Sequence, residues 1–397
     1  MDYNFSEKVS HLQASAIREI LKFTSDPEVI SFAAGNPAPE AFPVDEIDRI
    51  SKEIFAQDPI LALQYSITEG YPKLREQLKA WMQREGNFDP ERDELIITSG
   101  AQQANELTAK VLCDEGDTLV CEAPSFIGSL NAFKSYNVDL HGVTLDEDGI
   151  NIEELEKVLK EKNVRLIYLI PNFQNPTGRT TSLEKRKQVY ELAKKYGAVI
   201  LEDNPYGDLR FAGENIKSIK SLDKDGIVVY SGTFSKVLAP GIRVGYVSGP
   251  KEIIQKIIVC KQVSDVHTNI WAQVLASKFL EQCNMDQHLI TLRAIYKHKC
   301  NLMISEMEKN FSSKIKFEKP EGGLFIWCTL PEDCDMMAFC NKAVQEYKVA
   351  LVPGTAFMVN ETDKTTSFRM NFSTPTDEQL VKGCEMLGKL SKEMFGE

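Results

Sequence analysis

The chain has 397 residues, of which 43% are hydrophobic and 26% charged, so it is long enough for a large globular domain and a smaller one. Its formal net charge of -12 argues against a nucleic-acid-binding protein, because contacts to a phosphate backbone usually require a basic excess. We interpret the local basic clusters, Lys185-Arg186-Lys187 and Lys194-Lys195, as solvent-exposed faces of helices.

The cysteines and histidines show neither a disulfide framework nor a metal site. The nine cysteines are odd in number and form no Cys-x-x-Cys pair, and the five histidines are scattered. The first ten residues carry charges without an apolar core, and no apolar run is long enough to span a bilayer. The sequence therefore predicts a cytoplasmic protein with reduced thiols, no metal ion and no membrane partner.

The N-terminal region, residues 1–44, is predicted to be an arm that begins with a helix. Residues 6–24 have helical spacing, and their apolar face comprises Val9, Leu12, Ala16, Ile20 and Phe23. Residues 29–40 form an extended segment that contains Gly35 and two prolines. A short amphipathic helix is predicted at residues 46–55, and Tyr65 precedes a further helix.

From residue 94 onward, short apolar runs alternate with helical patterns. Strands are predicted at residues 94–98, 118–122, 166–170, 198–202 and 227–230, and helices at 104–112, 152–162 and 183–196. Nearly continuous Val, Ile and Leu runs between helices predict an α/β fold, with a mostly parallel sheet covered on both faces. Ligand sites in such sheets gather at the carboxyl ends of the strands.

Two of these strands are followed by a candidate anion site. Residues 99–103, Ser-Gly-Ala-Gln-Gln, form a turn that leads into a helix, where unpaired amides and the helix dipole favour an anion on Gly100, Ala101 and Gln102. Residues 230–246 combine Lys236 with the hydroxyls of Thr233 and Ser235 and the guanidinium of Arg243. An amine suited to carbonyl chemistry therefore lies beside groups that bind phosphate.

The C-terminal region, residues 286–397, is predicted to be a smaller α+β domain with a long first helix at residues 289–309. Its segment Ser367-Phe368-Arg369-Met370-Asn371-Phe372 places a cation within an apolar strand. A buried arginine is costly unless it meets an anion, so Arg369 is a candidate anion ligand. The alternative is a salt bridge between the two domains.

Taken together, these motifs resemble those of fold-type I pyridoxal-phosphate aminotransferases. Ser231-Gly-Thr-Phe-Ser-Lys236 with Pro240-Gly-Ile-Arg-Val-Gly245 is similar to the family's lysine loop, and Asn175-Pro-Thr-Gly178 and Asp203-Asn-Pro-Tyr206 precede it in the family's order. The similarity covers essentially the whole chain and is closest to the branch of 2-aminoadipate, kynurenine and aromatic aminotransferases. It implies a large cofactor-binding domain at residues 45–285, with a sheet of the seven-stranded type. The smaller domain then takes residues 286–397 and part of 1–44.

The resemblance also implies how pyridoxal 5′-phosphate is held. Lys236 forms a Schiff base with the aldehyde, and Asp203 keeps the pyridine nitrogen protonated so that the ring accepts electrons. Asn175 and Tyr206 donate hydrogen bonds to the phenolic oxygen. Phe126, where the family usually has tyrosine, stacks on the ring, although it could also be a simple core residue. The phosphate is bound by Gly100, Ala101, Gln102, Thr233, Ser235 and Arg243.

The resemblance assigns the substrate contacts to four residues and an intersubunit role to a fifth. Arg369, with Asn175, grips the substrate α-carboxylate, the Gly35 backbone approaches it, and Arg18 of the N-terminal arm meets the substrate side chain. Tyr65 crosses a homodimer interface to the partner's cofactor phosphate. A buried tyrosine that begins a helix is the alternative for Tyr65.

The implied activity is a ping-pong transfer of the amino group of an L-amino acid to a 2-oxo acid such as 2-oxoglutarate. The donor would be aromatic, 2-aminoadipate-like or branched-chain. Two alternatives remain at this stage, because a pyridoxal-phosphate lyase uses the same loops and some relatives are effector-sensing domains without catalysis.

Overall fold

An eight-stranded sheet and a four-stranded sheet organise the computed structural model, which describes residues 3–10, 26–360 and 362–396. The strands of the large sheet are β2 (Asp93–Thr98), β3 (Thr118–Ala123), β4 (Asp139–Asp146), β5 (Gly149–Ile150), β6 (Val164–Leu169), β7 (Val199–Asp203), β8 (Val228–Thr233) and β9 (Gly245–Pro250). They lie in the order β2-β9-β8-β7-β6-β3-β4-β5. The core from β4 to β8 is parallel, and β9 runs antiparallel to both of its neighbours.

This sheet confirms the predicted α/β fold with a mostly parallel sheet. Seven strands have five to eight residues, and only β5 has two. The sequence analysis missed β4 and β9. All six residues of β9 are buried, but its sequence, Gly-Tyr-Val-Ser-Gly-Pro, lacks the Val and Ile content of the other inner strands.

Helices cover the large sheet and build most of the remainder. They are α1 (Glu7–Ser10), α2 (Val44–Gln57), α3 (Pro59–Leu63), α4 (Pro72–Arg84), α5 (Ala101–Leu112), α6 (Ile127–Lys134), α7 (Ile152–Glu161), α8 (Leu183–Tyr196), α9 (Lys251–Ser264), α10 (Ile270–Gln282), α11 (Met285–Asn310), α12 (Met336–Gln345) and α13 (Asp377–Phe395). Helix α8 has its predicted bounds because Ser182 caps its first turn and Gly197, in the left-handed region at φ 74°, ends it. Most of the helix predicted at residues 6–24 lies outside the described residues.

The small sheet is formed by C-terminal strands, and the N-terminal segment pairs beside it. Its strands are β10 (Lys316–Phe317), β11 (Phe325–Thr329), β14 (Ser367–Asn371) and β13 (Val352–Pro353), in that order. Beside it, β1 (Ile30–Ser31) pairs in parallel with β12 (Val349–Ala350). The N-terminal segment is thereby fixed against the C-terminal region. One continuous apolar core includes residues beside both sheets, such as Phe133 and Phe368.

The basic run at residues 185–187 differs from its prediction. Arg186 is fully buried, whereas Lys187 is exposed as expected. The Arg186 guanidinium donates to the carbonyl oxygens of Pro171, Thr181 and Lys217 and to Asn172 Oδ1. These acceptors replace the water that an arginine normally keeps, so the prediction of a solvated face is wrong at this position.

Candidate active site

Lys236 lies just beyond strand β8, at the carboxyl edge of the parallel strands. Its Nζ donates a hydrogen bond of 2.7 Å to the carbonyl oxygen of Gly35 and lies 5.9 Å from the centre of the Tyr206 ring. Burial, together with the positive charges of Arg369 and Arg243, lowers the pKa of Lys236 to about 8. The fraction of this amine that is neutral and nucleophilic near neutral pH is therefore larger than for an ordinary lysine.

Asp203 ends strand β7 and has one satisfied and one unsatisfied oxygen. Its Oδ2 accepts hydrogen bonds from Asn105 Nδ2 at 2.7 Å and from the Tyr168 hydroxyl at 2.8 Å. Its Oδ1 is buried and has no partner among the described residues. Burial raises the pKa of Asp203 to about 6. A buried carboxylate oxygen without a donor is costly, so this atom is suited to receive one from a ligand.

Arg369 is only 3% exposed, and it forms no ion pair with a carboxylate of the described residues. Its Nη1 donates to Asn175 Oδ1 at 2.8 Å and its Nη2 to the Ala33 carbonyl at 2.7 Å, while Nε is buried and finds no partner in the described part of the chain. The guanidinium carbon lies 4.2 Å from the centre of the Phe325 ring. The alternative of a salt bridge between domains has no support among the described residues, and the role of Arg369 as an anion ligand stays a prediction.

Asn175 and Tyr206 are brought together beside Arg369, as predicted. The two cis peptide bonds of the described chain, Ala123-Pro124 and Asn175-Pro176, both lie in the loops that border this region. Burial raises the pKa of the Tyr206 hydroxyl, and a hydrogen bond with Asn175 acts in the opposite direction. Because Asn175 Oδ1 already accepts from Arg369, its amide group remains the donor.

The predicted anion turn and the lysine loop meet through strand β9. Gly245 of β9 pairs with Thr98 on one side and with Thr233 on the other. Arg243 Nη2 donates to the Ser99 carbonyl at 3.2 Å. A Cβ at Gly100, where φ is 80°, would lie 2.5 Å from that same Nη2, so only glycine allows this approach.

The first turn of helix α5 contributes more than predicted. The helix begins at Ala101 rather than at residue 104, so Gln102 is helical, and its Nε2 donates to the Gly128 carbonyl at 2.8 Å. A Cβ at Gly128 would lie within 2.7 Å of both Gln102 Oε1 and the Phe126 ring. Phe126 is half-buried at this point, next to the anion turn. On the other side, the Thr233 hydroxyl donates to Ser235 Oγ at 2.9 Å.

The sequence that supplies these side chains matches a known family. A family model described as aminotransferase class I and II matches residues 27–387. The chain belongs to the class I and II aminotransferases. It is 41% identical to aromatic-amino-acid aminotransferase 1 of Thermococcus litoralis, across 99% of this chain and 95% of that protein. It is 36% identical to the 2-aminoadipate transaminase of Thermus thermophilus, across 98% and 97%.

A solved structure extends the comparison to the fold. The kynurenine aminotransferase of Pyrococcus horikoshii, solved in complex with PMP, has a TM-score of 0.94 and 38% identity across 98% of this chain and 97% of that one. The predicted family and branch are confirmed, and with them a pyridoxal 5′-phosphate-dependent enzyme.

The residues of this aminotransferase fit its cofactor. The unpartnered Oδ1 of Asp203 offers an acceptor for a protonated ring nitrogen, and the buried amine of Lys236 offers a nucleophile for an aldehyde. The turn at Gly100 and the guanidinium of Arg243 offer donors for a phosphate. Across the described part of the chain, no cluster of His, Cys, Asp or Glu side chains could hold a metal ion.

Of the remaining predicted site residues of the aminotransferase, Tyr65 lies at the surface of the chain. Tyr65 is 83% exposed, and its ring contacts His267 edge to face, with 5.9 Å between the ring centres. The alternative of a buried tyrosine is therefore wrong. Arg18 lies outside the described residues.

The sequence analysis missed the partners of Asp203, which are Asn105 and Tyr168. Tyr168 interrupts an otherwise aliphatic strand, and its hydroxyl needs a partner in the core, which was the available signal. Asn105 lies on the buried face of helix α5 and gave no signal of its own.

Proposed function

We propose that this aminotransferase moves the amino group of an aromatic, 2-aminoadipate-like or branched-chain L-amino acid to a 2-oxo acid such as 2-oxoglutarate, in a ping-pong reaction. The observation that carries the proposal is the buried Arg369, whose Nε lacks a partner among the residues described and whose charge lowers the pKa of Lys236. An α-carboxylate held there would lie beside the reactive amine. The relatives named for aromatic, 2-aminoadipate and kynurenine substrates support the donor class.

Each side chain has its own role in this proposal. When bound, the cofactor supplies an electron sink for the bond that breaks at the substrate Cα. Lys236 holds the aldehyde and, once released, moves the proton at Cα as a neutral amine. Asp203 keeps the ring nitrogen protonated, and Asn175 and Tyr206 hold the phenolic oxygen. Arg369, with Asn175 and the Gly35 backbone, orients the carboxylate.

The phosphate and the ring have their own proposed contacts. Donors for the phosphate come from both sides of strand β9, and the half-buried face of Phe126 is offered to the ring. The phosphate ligands are Gly100, Ala101, Gln102, Thr233, Ser235 and Arg243. Arg18 is proposed to contact the substrate side chain.

We further propose a homodimer in which Tyr65 serves the partner's site. Support comes from the exposed apolar side chains around it, since Ile60 is 67% and Leu63 is 70% exposed. A groove of about 590 Å³ runs between Tyr65, His267 and Trp271. Exposed apolar patches of this kind mark association surfaces.

The proposed domain division and compartment follow from the same features. We place the boundaries at residues 44 and 285, with the N-terminal segment contributing to the small domain, as the pairing of β1 with β12 supports. The cytoplasm is the proposed compartment, supported by nine free cysteines. Among the described helices, none is both long and apolar enough to cross a membrane.

The decisive experiment is a half-reaction panel. The holoenzyme is mixed with phenylalanine, tyrosine, kynurenine, 2-aminoadipate and leucine in turn, and loss of the cofactor's visible absorption band is followed together with the 2-oxo acid produced. We expect at least one of these donors to bleach the band, and 2-oxoglutarate to restore it. Release of ammonia without need for an acceptor would instead identify a lyase. Normal turnover by Lys236→Ala would contradict the mechanism.

A further inference from the structure

A buried ammonium group is connected to the anion turn through the side chains of Gln103 and Asp265. The side chain of Lys261, in helix α9, is fully buried. Its Nζ donates to Gln103 Oε1 at 2.9 Å, to Thr268 Oγ1 at 3.0 Å and to both carboxylate oxygens of Asp265 at 2.8 Å. No motif in the sequence marks this lysine, and none of the roles given above uses it.

The partners of Lys261 hold the turn directly. Gln103 Oε1 also accepts the backbone N–H of Ser99 at 2.8 Å, and Gln103 Nε2 donates to Asp265 Oδ2 at 2.9 Å. The Ser99 hydroxyl donates to the same Asp265 oxygen at 2.9 Å. The Thr268 hydroxyl lies 3.2 Å from that of Ser99, so three side chains around Lys261 fix the backbone and the hydroxyl of Ser99, the residue before Gly100.

The ion pair of Lys261 and Asp265 carries a desolvation cost. Burial lowers the pKa of Lys261, against the pull of Asp265. Burial also acts to raise the pKa of Asp265, but hydrogen bonds from Lys261 and Gln103 outweigh it, and the pKa is lowered. An ion pair whose amine is fully buried and whose carboxylate is 26% exposed seldom adds much net stability over apolar residues of similar volume, so fixing one geometry is the role that it can fill.

We propose that Lys261 is a positioning residue for the cofactor phosphate. Through Gln103 and Asp265 it fixes Ser99, and thereby aims the amides that follow Ser99 and the carbonyl that Arg243 contacts. It touches neither the cofactor nor the substrate. The proposal rests on the proposed phosphate site and names a residue that builds it.

The chain offers a matched control at the other end of the same strand. Ser99 follows the last residue of β2, and Asp93 is its first. Lys220 is 2% exposed and donates to Asp93 Oδ1 at 3.0 Å and to Asp223 Oδ2 at 3.1 Å. Lys220 is therefore a second buried lysine in an ion-pair cluster. This cluster lies at the start of β2, at the opposite end of the strand from the turn.

The test compares two aldehydes that differ only in the phosphate. Apo-forms of the wild type, Lys261→Met and Lys220→Met are titrated with pyridoxal 5′-phosphate and with pyridoxal, and binding is followed by the visible band of the adduct with Lys236. Thermal unfolding of each apo-protein is measured alongside. For Lys261→Met we expect the Kd for the phosphorylated aldehyde to rise about tenfold or more, with pyridoxal affinity nearly unchanged. Lys220→Met is expected to lower Tm without changing the ratio of the two affinities.

Each result decides the question. Equal losses for both aldehydes, or an unchanged ratio of affinities, would overturn the proposal. If Lys261→Met does not fold, Gln103→Met removes the acceptor of the Ser99 N–H and must show the same selective loss. Failure of the proposed function would look different, because the wild type itself would then form no adduct with either aldehyde.

Discussion

The reactivity of Lys236 depends on two cations and a dry environment. Its pKa of about 8 reflects burial first and then the charges of Arg369 and Arg243. Only the neutral amine attacks an aldehyde, so adduct formation should speed up as the pH rises through about 8 and then level off.

The first prediction uses this dependence. Arg369→Met removes a positive charge that disfavours the ammonium form, so the pKa of Lys236 should rise and the midpoint of the pH profile should move upward. The measurement is the rate of adduct formation between apo-enzyme and pyridoxal across a pH series. Arg165→Met, at a side chain that is 51% exposed, should leave the midpoint in place. A midpoint that stays fixed or falls in Arg369→Met would rule out the electrostatic account.

The second prediction concerns the unpartnered oxygen of Asp203. Asp203→Asn keeps the shape but removes the charge that holds the ring nitrogen protonated. We expect kcat to fall about 100- to 1,000-fold while the protein still takes up the cofactor through Lys236. Steady-state kinetics and the visible spectrum provide the two readouts.

The matched control removes a neighbour of Asp203 rather than the charge. Tyr168→Phe deletes one donor to Oδ2, so it should raise the pKa of Asp203 and cost only about tenfold in kcat. If Asp203→Asn were no slower than Tyr168→Phe, the charge would not be the feature that matters.

At the scale of elements, the loop that carries Asn175 is held by one buried arginine. Arg186 of helix α8 bonds the carbonyls of Pro171 and Thr181, near the two ends of this loop, and also Asn172. Through this side chain, helix α8 fixes the position of the loop that precedes it.

The third prediction follows from these bonds. Arg186→Met would leave several buried acceptors without donors, so the free energy of unfolding should fall by about 3 kcal/mol or more. Lys187→Met, at the exposed neighbour on the same helix, should change it by no more than about 0.5 kcal/mol. Urea unfolding of the two apo-proteins measures both free energies. Similar losses for the two variants would argue against a stabilising role for the hydrogen bonds of Arg186.

The elements that the sequence predicted well are those with strong local signals. Helix α8 carries its own cap residues, and the inner strands β6, β7 and β8 are rich in Val, Ile and Leu. Strand β9 and the burial of Arg186 depend on neighbours that are distant in the sequence, such as β2 beside β9 and the 171–181 loop around the guanidinium. A local pattern carries no information on such partners.

The same division applies to the site. Lys236, Asn175 and Asp203 stand in motifs and could be named from the sequence, and the structure brings all three to one edge of the sheet. Asn105 and Lys261, which support them, lie within ordinary helical sequence. Their positions become meaningful only once the tertiary contacts are known.

At the scale of the whole molecule, the proposed dimer implies that a single chain lacks a complete site, because the exposed Tyr65 would serve the site of the partner. The fourth prediction tests this by complementation. Tyr65→Ala and Lys236→Ala should each be weakly active or inactive alone. A mixed dimer should regain activity, because one of its sites combines an intact Lys236 with Tyr65 from the other subunit.

The measurement is activity after the two variants are unfolded together and refolded as a mixture. Mixing Lys236→Ala with Asp203→Asn is the control that separates simple mixing from exchange of Tyr65, because there both subunits keep the tyrosine. Only the mixture that contains Tyr65→Ala should gain activity, because there the other subunit supplies the missing tyrosine to the site with an intact Lys236. No gain in activity over the separate variants would contradict the shared site.

The pairing of Ile30 with Val349 also has a consequence for synthesis on the ribosome. Residues 33–35, whose carbonyls meet Arg369 and Lys236, are among the first to emerge, yet the strand that fixes them is translated more than three hundred residues later. All eight strands of the large sheet, by contrast, lie before residue 251 of the chain. The hydrogen bond between Arg369 and the Ala33 carbonyl can therefore form only when nearly the whole chain has been translated.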